Sequence, residues 1–281
     1  MVNRVWQHHF GTGIVATSDN FGLRGERPTH PELLDWLTAR FIESGWSVKS
    51  LHRWIVLSNA YRQSSRTTAA SREADPEVRW LSSFPRRRLS AEELRDAMLA
   101  VSGRLDRAAG SNESGAFLLS KAEDINAQIK PNRVAADDPF YTEFAKRSVY
   151  LPIVRNMLPD VLALFDAADP NSVTAVRNET TVASQSLFLM NSPFVRTQAQ
   201  GLAERVLSDP ARTPEQIADL AHQVALGRLA SAVEQAQAHE FVEAWLRSPA
   251  SQACPAETRR SMAWQSYCQA LLCSNEFSYV D

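Results

Sequence analysis

The chain has 281 residues, of which 44% are hydrophobic and 22% charged, and this balance is typical of a globular protein rather than a disordered one. Its 30 basic and 32 acidic side chains leave a net charge of -2, so binding to nucleic acid or to an anionic membrane would need a local patch. No apolar run approaches the roughly 18 residues of a membrane-spanning helix, and the N-terminus has no secretory-signal pattern.

The N-terminal third of the sequence predicts helices joined by short turns. Apolar residues recur at helical spacing from Val2 onward, so the chain is expected to begin inside its own fold. The residues Thr29 to Glu32 have the pattern of a capping box and open a predicted helix over 30–44. Gly45 should end this helix and Ser47 should cap the next, which gives a helical hairpin.

The middle of the sequence is less regular. Residues 62–75 are polar and predict an exposed connection, and a second capping box that begins at Ser90 opens a helix that runs to Gly103. Residues 104–146 lack any apolar period and predict an irregular or mobile connection. Residues 148–154 are the one short segment with β character, although Pro152 restricts it to the edge of a sheet.

The remaining sequence again predicts helices. They comprise a short helix over 159–166, two helices that meet at 191–193, a hairpin over 214–226 and 232–247, and a last helix over 257–273. The predicted fold is therefore mainly α, an irregular multi-helix domain built from helical hairpins with at most a short β pair. We expect residues 1–103 and 147–281 to be two helical parts, packed as one domain and joined by 104–146. The three cysteines, too few for a disulfide framework, are Cys254, Cys268 and Cys273.

The N-terminal glycine-rich segment contains the densest group of possible ligands and bases, namely His8, His9, Asp19, Glu26 and His30. A metal or general-base site could form there. Adjacent histidines on a helix point about 100° apart, however, and the spacing matches no standard zinc pattern. The favoured interpretation is structural: one of the two adjacent histidines hydrogen-bonds the loop at residues 21–27.

Two further groups of polar residues are candidates for binding. Arg86, Arg87 and Arg88 could bind phosphate, a sulfated sugar or a carboxylate, or could pair with acidic residues of the following helix. Residues 166–181 crowd carboxylates, an arginine and two threonines into a polar loop. There are two alternatives for this loop. Its carboxylates could act in glycoside hydrolysis, or they could simply cap the backbone of the loop.

Several separated motifs carry a family resemblance. They are NRVWQHHFG at 3–11, PTHPELLDWL at 28–37, YRQSS at 61–65, RRRLSAEE at 86–93, RSVYLP at 147–152, NSPFV at 191–195 and LLCSNEF at 271–277. In this order they resemble the planctomycete-specific family catalogued as domain of unknown function 1553. The resemblance implies the C-terminal domain of a large exported protein, truncated here at its start, with cytochrome-c-like modules upstream and an extracytoplasmic, periplasmic location. It brings no catalytic residues, and no Cys-x-x-Cys-His motif for c-type haem occurs, so no cofactor is assigned.

Two functions follow from these patterns as expectations. The first is a non-catalytic interaction or scaffold module that contacts its own upstream modules or a carbohydrate-bearing partner. The alternative is an extracytoplasmic enzyme that acts on polysaccharide, with metal assistance through the N-terminal histidines. Nucleic acid is the least favoured partner, and none of the patterns indicates a membrane.

Overall fold

The computed structural model describes residues 1–108, 144–151, 153 and 158–280. Most of the predicted connection 104–146 lies outside these residues, so its predicted mobility, and with it the division into 1–103, 104–146 and 147–281, stays a prediction. The prediction of a mainly α fold is confirmed. Among the helices of the described part, none is long and apolar enough to cross a membrane.

The chain divides into two compact units. The first unit contains residues 1–88 and 173–176 together with Tyr279 and Val280, and the second contains 89–172 and 177–278. The elements of the first unit are α1 (Val2–Phe10), α2 (Pro31–Glu43), α3 (Val48–Val56), α4 (Ala69–Ala74), β1 (Arg87–Arg88) and β2 (Tyr279–Val280).

The core of the first unit forms where the apolar faces of α1, α2 and α3 meet. Its largest buried side chains are Trp6, Phe10, Ile14, Leu37, Phe41, Leu51, Ile55 and Phe84. The α2–α3 hairpin turns through Gly45 at φ 69°, and the Ser47 hydroxyl caps α3 by accepting a hydrogen bond from the Ser50 amide. Both features agree with the sequence-based prediction.

The second unit consists of α5 (Ala91–Val101), α6 (Asp160–Leu164), α7 (Ala183–Asn191), α8 (Pro193–Val206), α9 (Pro214–Leu226), α10 (Ala232–Arg247), α11 (Pro249–Gln252), α12 (Arg259–Leu272) and α13 (Asn275–Ser278). Helix α8 lies at its centre and contacts α5, α7, α9 and α12. A Cβ atom at Gly201 would lie 2.9 Å from the Ser102 carbonyl oxygen, so the approach of α5 to α8 requires glycine there.

Most of the predicted helix ends are confirmed by hydrogen bonds. Capping boxes form at Ser90, Thr213 and Ser231, and Gly227 ends α9 at φ 74°. The capping box predicted at Thr29 is wrong. His30 is the N-cap residue of α2 without a side-chain cap, because the Thr29 amide and hydroxyl both donate to the Ile14 carbonyl and hold the preceding loop.

The small β pair lies elsewhere than predicted. Strands β1 and β2 pair antiparallel, whereas Ser148–Tyr150 forms a 3-10 turn. The amide and hydroxyl of Ser148 both donate to the Asp96 carboxylate at 2.7 Å. Because a side chain satisfies this backbone donor, the segment has no need of a neighbouring strand. Residues 62–75 also contain the short helix α4, which the sequence did not predict.

Arg95, in α5, is fully buried and ties residues 144–148 to the core of the second unit. Its guanidinium donates to the carbonyl oxygens of Phe144 and Lys146 and to the Ser148 hydroxyl. It also lies 5.7 Å from the centre of the Phe194 ring, a cation–π distance. This arginine and the isolated β-bridge between Asp106 and Lys146 together anchor that segment.

Replacing Arg95 with Ala should lower the free energy of unfolding by about 3 kcal/mol or more, because several buried acceptors lose their donor at once. Denaturation in urea, followed by circular dichroism, measures the loss. Arg104 is the matched control: its exposed guanidinium is 3.9 Å from Glu204, and Arg104→Ala should cost about 0.5 kcal/mol or less. Equal losses for the two variants would contradict the anchoring role.

Candidate functional site

The five residues of the predicted N-terminal cluster have separate surroundings in the first unit. His8 and Asp19 are exposed, and the Glu26 carboxylate pairs with Arg79 at 2.7 Å. His30 places Nδ1 2.9 Å from the Thr29 hydroxyl. Within the residues that the structure describes, no three His, Cys, Asp or Glu side chains are arranged to hold a metal ion. The metal or general-base site stays a prediction.

His9 contacts another histidine that the sequence analysis did not single out. Its Nε2 is 2.7 Å from Nδ1 of His52, and its ring meets the Tyr61 ring edge-on at 5.4 Å. At this distance one ring nitrogen must donate a proton and the other must accept it, so the accepting nitrogen carries no proton. Partial burial, followed by the charges of His52, Arg87 and His8, lowers the pKa of His9.

Helix α1 holds the glycine-rich loop through residues other than its histidines. The Asn3 side chain accepts from the Val15 amide at 2.8 Å and donates to the Val15 carbonyl at 2.9 Å. The Ser18 hydroxyl donates to the Gln7 side chain at 2.7 Å. The hypothesis that His8 or His9 holds the loop at 21–27 is therefore wrong. An amide that donates and accepts at once satisfies both groups of one backbone residue, which a single imidazole nitrogen cannot do.

The predicted run of arginines divides between two environments. Arg87 and Arg88 form β1, and Arg88 is buried. Arg86 instead lines an open groove of about 490 Å³ in the first unit, hereafter the arginine groove. The residues that line it are Ser65, Arg66, Thr67, Arg72 and Arg86. The sequence analysis named Arg86 as a candidate for anion binding at this position but did not name Arg72.

The arginine groove is positively charged and accessible. None of the described residues that line it is acidic. Among the described residues, the guanidinium groups of Arg66 and Arg72 make no hydrogen bond or ion pair, whereas Arg62 donates to Asn59 and Arg79 pairs with Glu26. The groove therefore contains at least two cations that are available to a ligand.

The charge of the chain is unevenly distributed along it. Residues 1–88 contain 13 of the 30 basic side chains but only 8 of the 32 acidic ones, a net charge of +5. The rest of the chain then has a net charge of -7, and the two together give the total of -2. A near-neutral total thus conceals a basic stretch around the arginine groove, and basic stretches attract anions.

The polar loop at 166–181 uses its carboxylates to fix the backbone. Asp166, at φ 61°, accepts from the amide and hydroxyl of Thr180 at 2.8 and 2.9 Å. Asp169 accepts from the Asn171 amide at 2.8 Å. Arg177 makes two hydrogen bonds to Glu92, at 2.5 and 2.9 Å. These contacts favour the loop-capping alternative over paired catalytic carboxylates.

A partly buried polar network in the second unit was missed by the sequence analysis. Nε2 of His222 is 2.9 Å from the Tyr267 hydroxyl, and burial raises the pKa of Tyr267 to about 12. Arg228 bridges the carboxylates of Glu234 and Glu276 through pairs at 2.7 and 2.6 Å. His222 shares the apolar face of α9 with Ile217 and Ala221, and this polar residue on a buried stripe was the available signal.

The His9–His52 contact should make the first unit less stable in acid. Because the pKa of His9 is lowered in the folded chain, this stability is present above the unfolded value of about 6.5 and is lost as the pH falls through the folded pKa. Thermal unfolding measured between pH 7.5 and 5 should show a melting temperature that decreases as the pH is lowered. The variant His9→Gln, which can still hydrogen-bond His52 but does not titrate, should show a smaller decrease.

His8→Gln is the control for this experiment, since His8 is exposed and makes no hydrogen bond with the described residues. Its stability should depend on pH as that of the wild type does. If His8→Gln flattened the profile as much as His9→Gln, the general charge of the segment rather than the histidine contact would be responsible.

Comparison with known families gives a match over most of the chain. The family model PSD1, described as "Protein of unknown function (DUF1553)", matches residues 1–242. No curated protein and no solved structure matches the chain. The matched range includes the whole arginine groove and the N-terminal histidines.

Proposed function

This chain belongs to the family described as protein of unknown function DUF1553, and on that premise we propose that it is a non-catalytic interaction module whose first unit binds acidic groups. The observation that carries the proposal is the arginine groove. The guanidinium groups of Arg66 and Arg72 make no hydrogen bond or ion pair with the described residues, and the hydroxyl groups of Ser65 and Thr67 line the same groove. Guanidinium groups bind carboxylate, sulfate and phosphate through two parallel hydrogen bonds.

The composition of the groove supports binding rather than catalysis. In the described part of the chain its lining consists of three arginines, a serine and a threonine, and it contains no carboxylate, imidazole or thiol that would act as a general base. The serine and threonine would need such a base nearby to become nucleophiles. A rigid cationic surface with neutral hydrogen-bonding groups is therefore suited to holding an acidic partner without changing it.

The partner in this proposal presents acidic groups at its surface. An acidic face of an upstream module of the same protein would fit, and so would a carbohydrate with acidic substituents. An extracytoplasmic location is part of the proposal, because such polymers occur outside the cytoplasm. The rival function, a metal-assisted enzyme built on His8, His9 and His30, draws no support from the contacts of these residues, since His9 and His30 are engaged with His52 and Thr29.

The double substitution Arg66→Gln and Arg72→Gln should weaken the binding of inorganic sulfate by about tenfold, because each exposed guanidinium contributes a charge-assisted hydrogen bond of modest strength. Sulfate that binds the folded chain raises its melting temperature, so thermal unfolding at increasing sulfate concentration gives the affinity. Circular dichroism verifies that the double variant keeps its helix content.

Arg53→Gln is the matched control. Arg53 is an exposed arginine of α3 in the same basic stretch, does not line the groove, and its guanidinium makes no hydrogen bond with the described residues. Its replacement should change sulfate affinity by less than about twofold, as loss of one distant screened charge does. Equal effects of Arg53→Gln and Arg66→Gln would reject the groove as the binding site.

A further inference from the structure

The size of the arginine groove exceeds what a single inorganic anion would fill. Its volume is about 490 Å³, within the range of roughly 300–1,000 Å³ that is usual for sites of small organic ligands. A water molecule occupies about 30 Å³ in the liquid, so a sulfate or phosphate ion would leave most of this volume to solvent. The groove therefore has room for an acidic group together with the larger molecule that carries it.

The cations of the groove lie on two stretches of the first unit. Arg66 precedes α4, Arg72 lies within α4, and Arg86 directly precedes β1. The guanidinium groups of Arg66 and Arg72 offer two separate anchors, each with the flat geometry that matches one carboxylate or sulfate group. A ligand with acidic groups at repeated intervals would use more of these anchors than a ligand with one.

The uncharged lining residues distinguish between the classes of polyanion. Ser65 and Thr67 bring hydroxyl groups, which can donate to and accept from the hydroxyl groups of sugars. Among the residues that the structure describes, no Phe, Tyr, Trp or His lines the groove. Proteins that bind single-stranded nucleic acids generally stack the bases on such rings. The lining therefore suits a polyanion that has hydroxyl groups and no bases.

We infer that the arginine groove binds an anionic polysaccharide, a linear chain of sugars with a carboxylate or sulfate group on successive units. This inference rests on the proposed function, because it specifies the ligand of the same groove. At low ionic strength the net charge of +5 on residues 1–88 adds an attraction that raises the local concentration of such a polymer. A neutral polysaccharide gains nothing from this attraction and offers the guanidinium groups of Arg66 and Arg72 no anionic partner.

The test compares defined ligands on the full chain by calorimetry. The probes are oligogalacturonides of two and eight sugars, which carry carboxylates, heparin-derived oligosaccharides of the same lengths, which carry sulfates, and an eight-nucleotide oligothymidylate. We expect an octasaccharide to bind at least about tenfold more tightly than its disaccharide and than the oligothymidylate. The carboxylated and sulfated series identify which acidic group is preferred.

Salt dependence reports how many acidic groups are contacted. With two or three guanidinium contacts, the logarithm of the octasaccharide affinity should fall against the logarithm of salt concentration with a slope of about 2 to 3. Arg66→Gln with Arg72→Gln should lower that slope by about two, and Arg53→Gln should leave it unchanged. Arg66→Lys keeps the charge, so it should retain the slope but lose affinity.

The outcomes separate the inference from the proposed function. If sulfate binding depends on Arg66 and Arg72 but octasaccharides bind no better than disaccharides, or the oligothymidylate binds as tightly, the inference is overturned and the proposed function stands. If neither sulfate nor any oligosaccharide responds to these substitutions, both are overturned. Length-dependent binding of one acidic series that the double substitution abolishes supports both.

Discussion

The arginine groove depends on the way the Phe84 side chain is buried. Its ring lies in the aromatic core of the first unit, 5.9 Å from the ring of Phe10 and 5.3 Å from that of Tyr61. From this fixed position its amide donates to the Ser64 carbonyl at 3.1 Å. The groove is lined by residues that follow this hydrogen-bonded pair in sequence. Ser65 and Arg66 come after Ser64, and Arg86 comes shortly after Phe84. Burial of one apolar ring thus brings together charged residues that are distant in the sequence.

The arginines of this protein illustrate two uses of the same side chain. Arg95 and Arg228 are enclosed by acceptors, the first by backbone carbonyls and the second by two carboxylates, and they hold the second unit together. Arg66 and Arg72 have no such acceptors among the described residues. A cation near the surface that stabilises nothing internally costs little to keep there, because water solvates it. Such a cation is available to a ligand. This contrast is why the groove, rather than the networks around Arg95 and Arg228, is the candidate site.

Local patterns predicted the fold better than they predicted the contacts. The capping boxes at Thr213 and Ser231 and the turn at Gly227 could be read from residues within four positions, because the relevant hydrogen bonds close over one helical turn. Thr29 has the same local pattern but bonds Ile14, fifteen residues away. The pairing of β1 with β2 joins residues from distant parts of the chain. No local pattern contains such information, which arises only when the core forms.

The candidate site shows the same division. Arg86 was predicted as an anion-binding residue from its run of charges, but Arg72 was not, since it stands alone in a segment that had been interpreted as an exposed connection. Helix α4, which the Thr68 hydroxyl caps by accepting from the Ser71 amide, is what turns Arg72 toward the groove.

The net charge of the whole chain was a poor guide to the charge around the groove, because the acidic residues lie mainly beyond residue 88. At physiological ionic strength charges are screened beyond about 8 Å, so a ligand in the groove responds to the arginines beside it far more than to a remote acidic surplus. The local surplus of cations, rather than the net charge, is therefore the property on which the proposed binding depends.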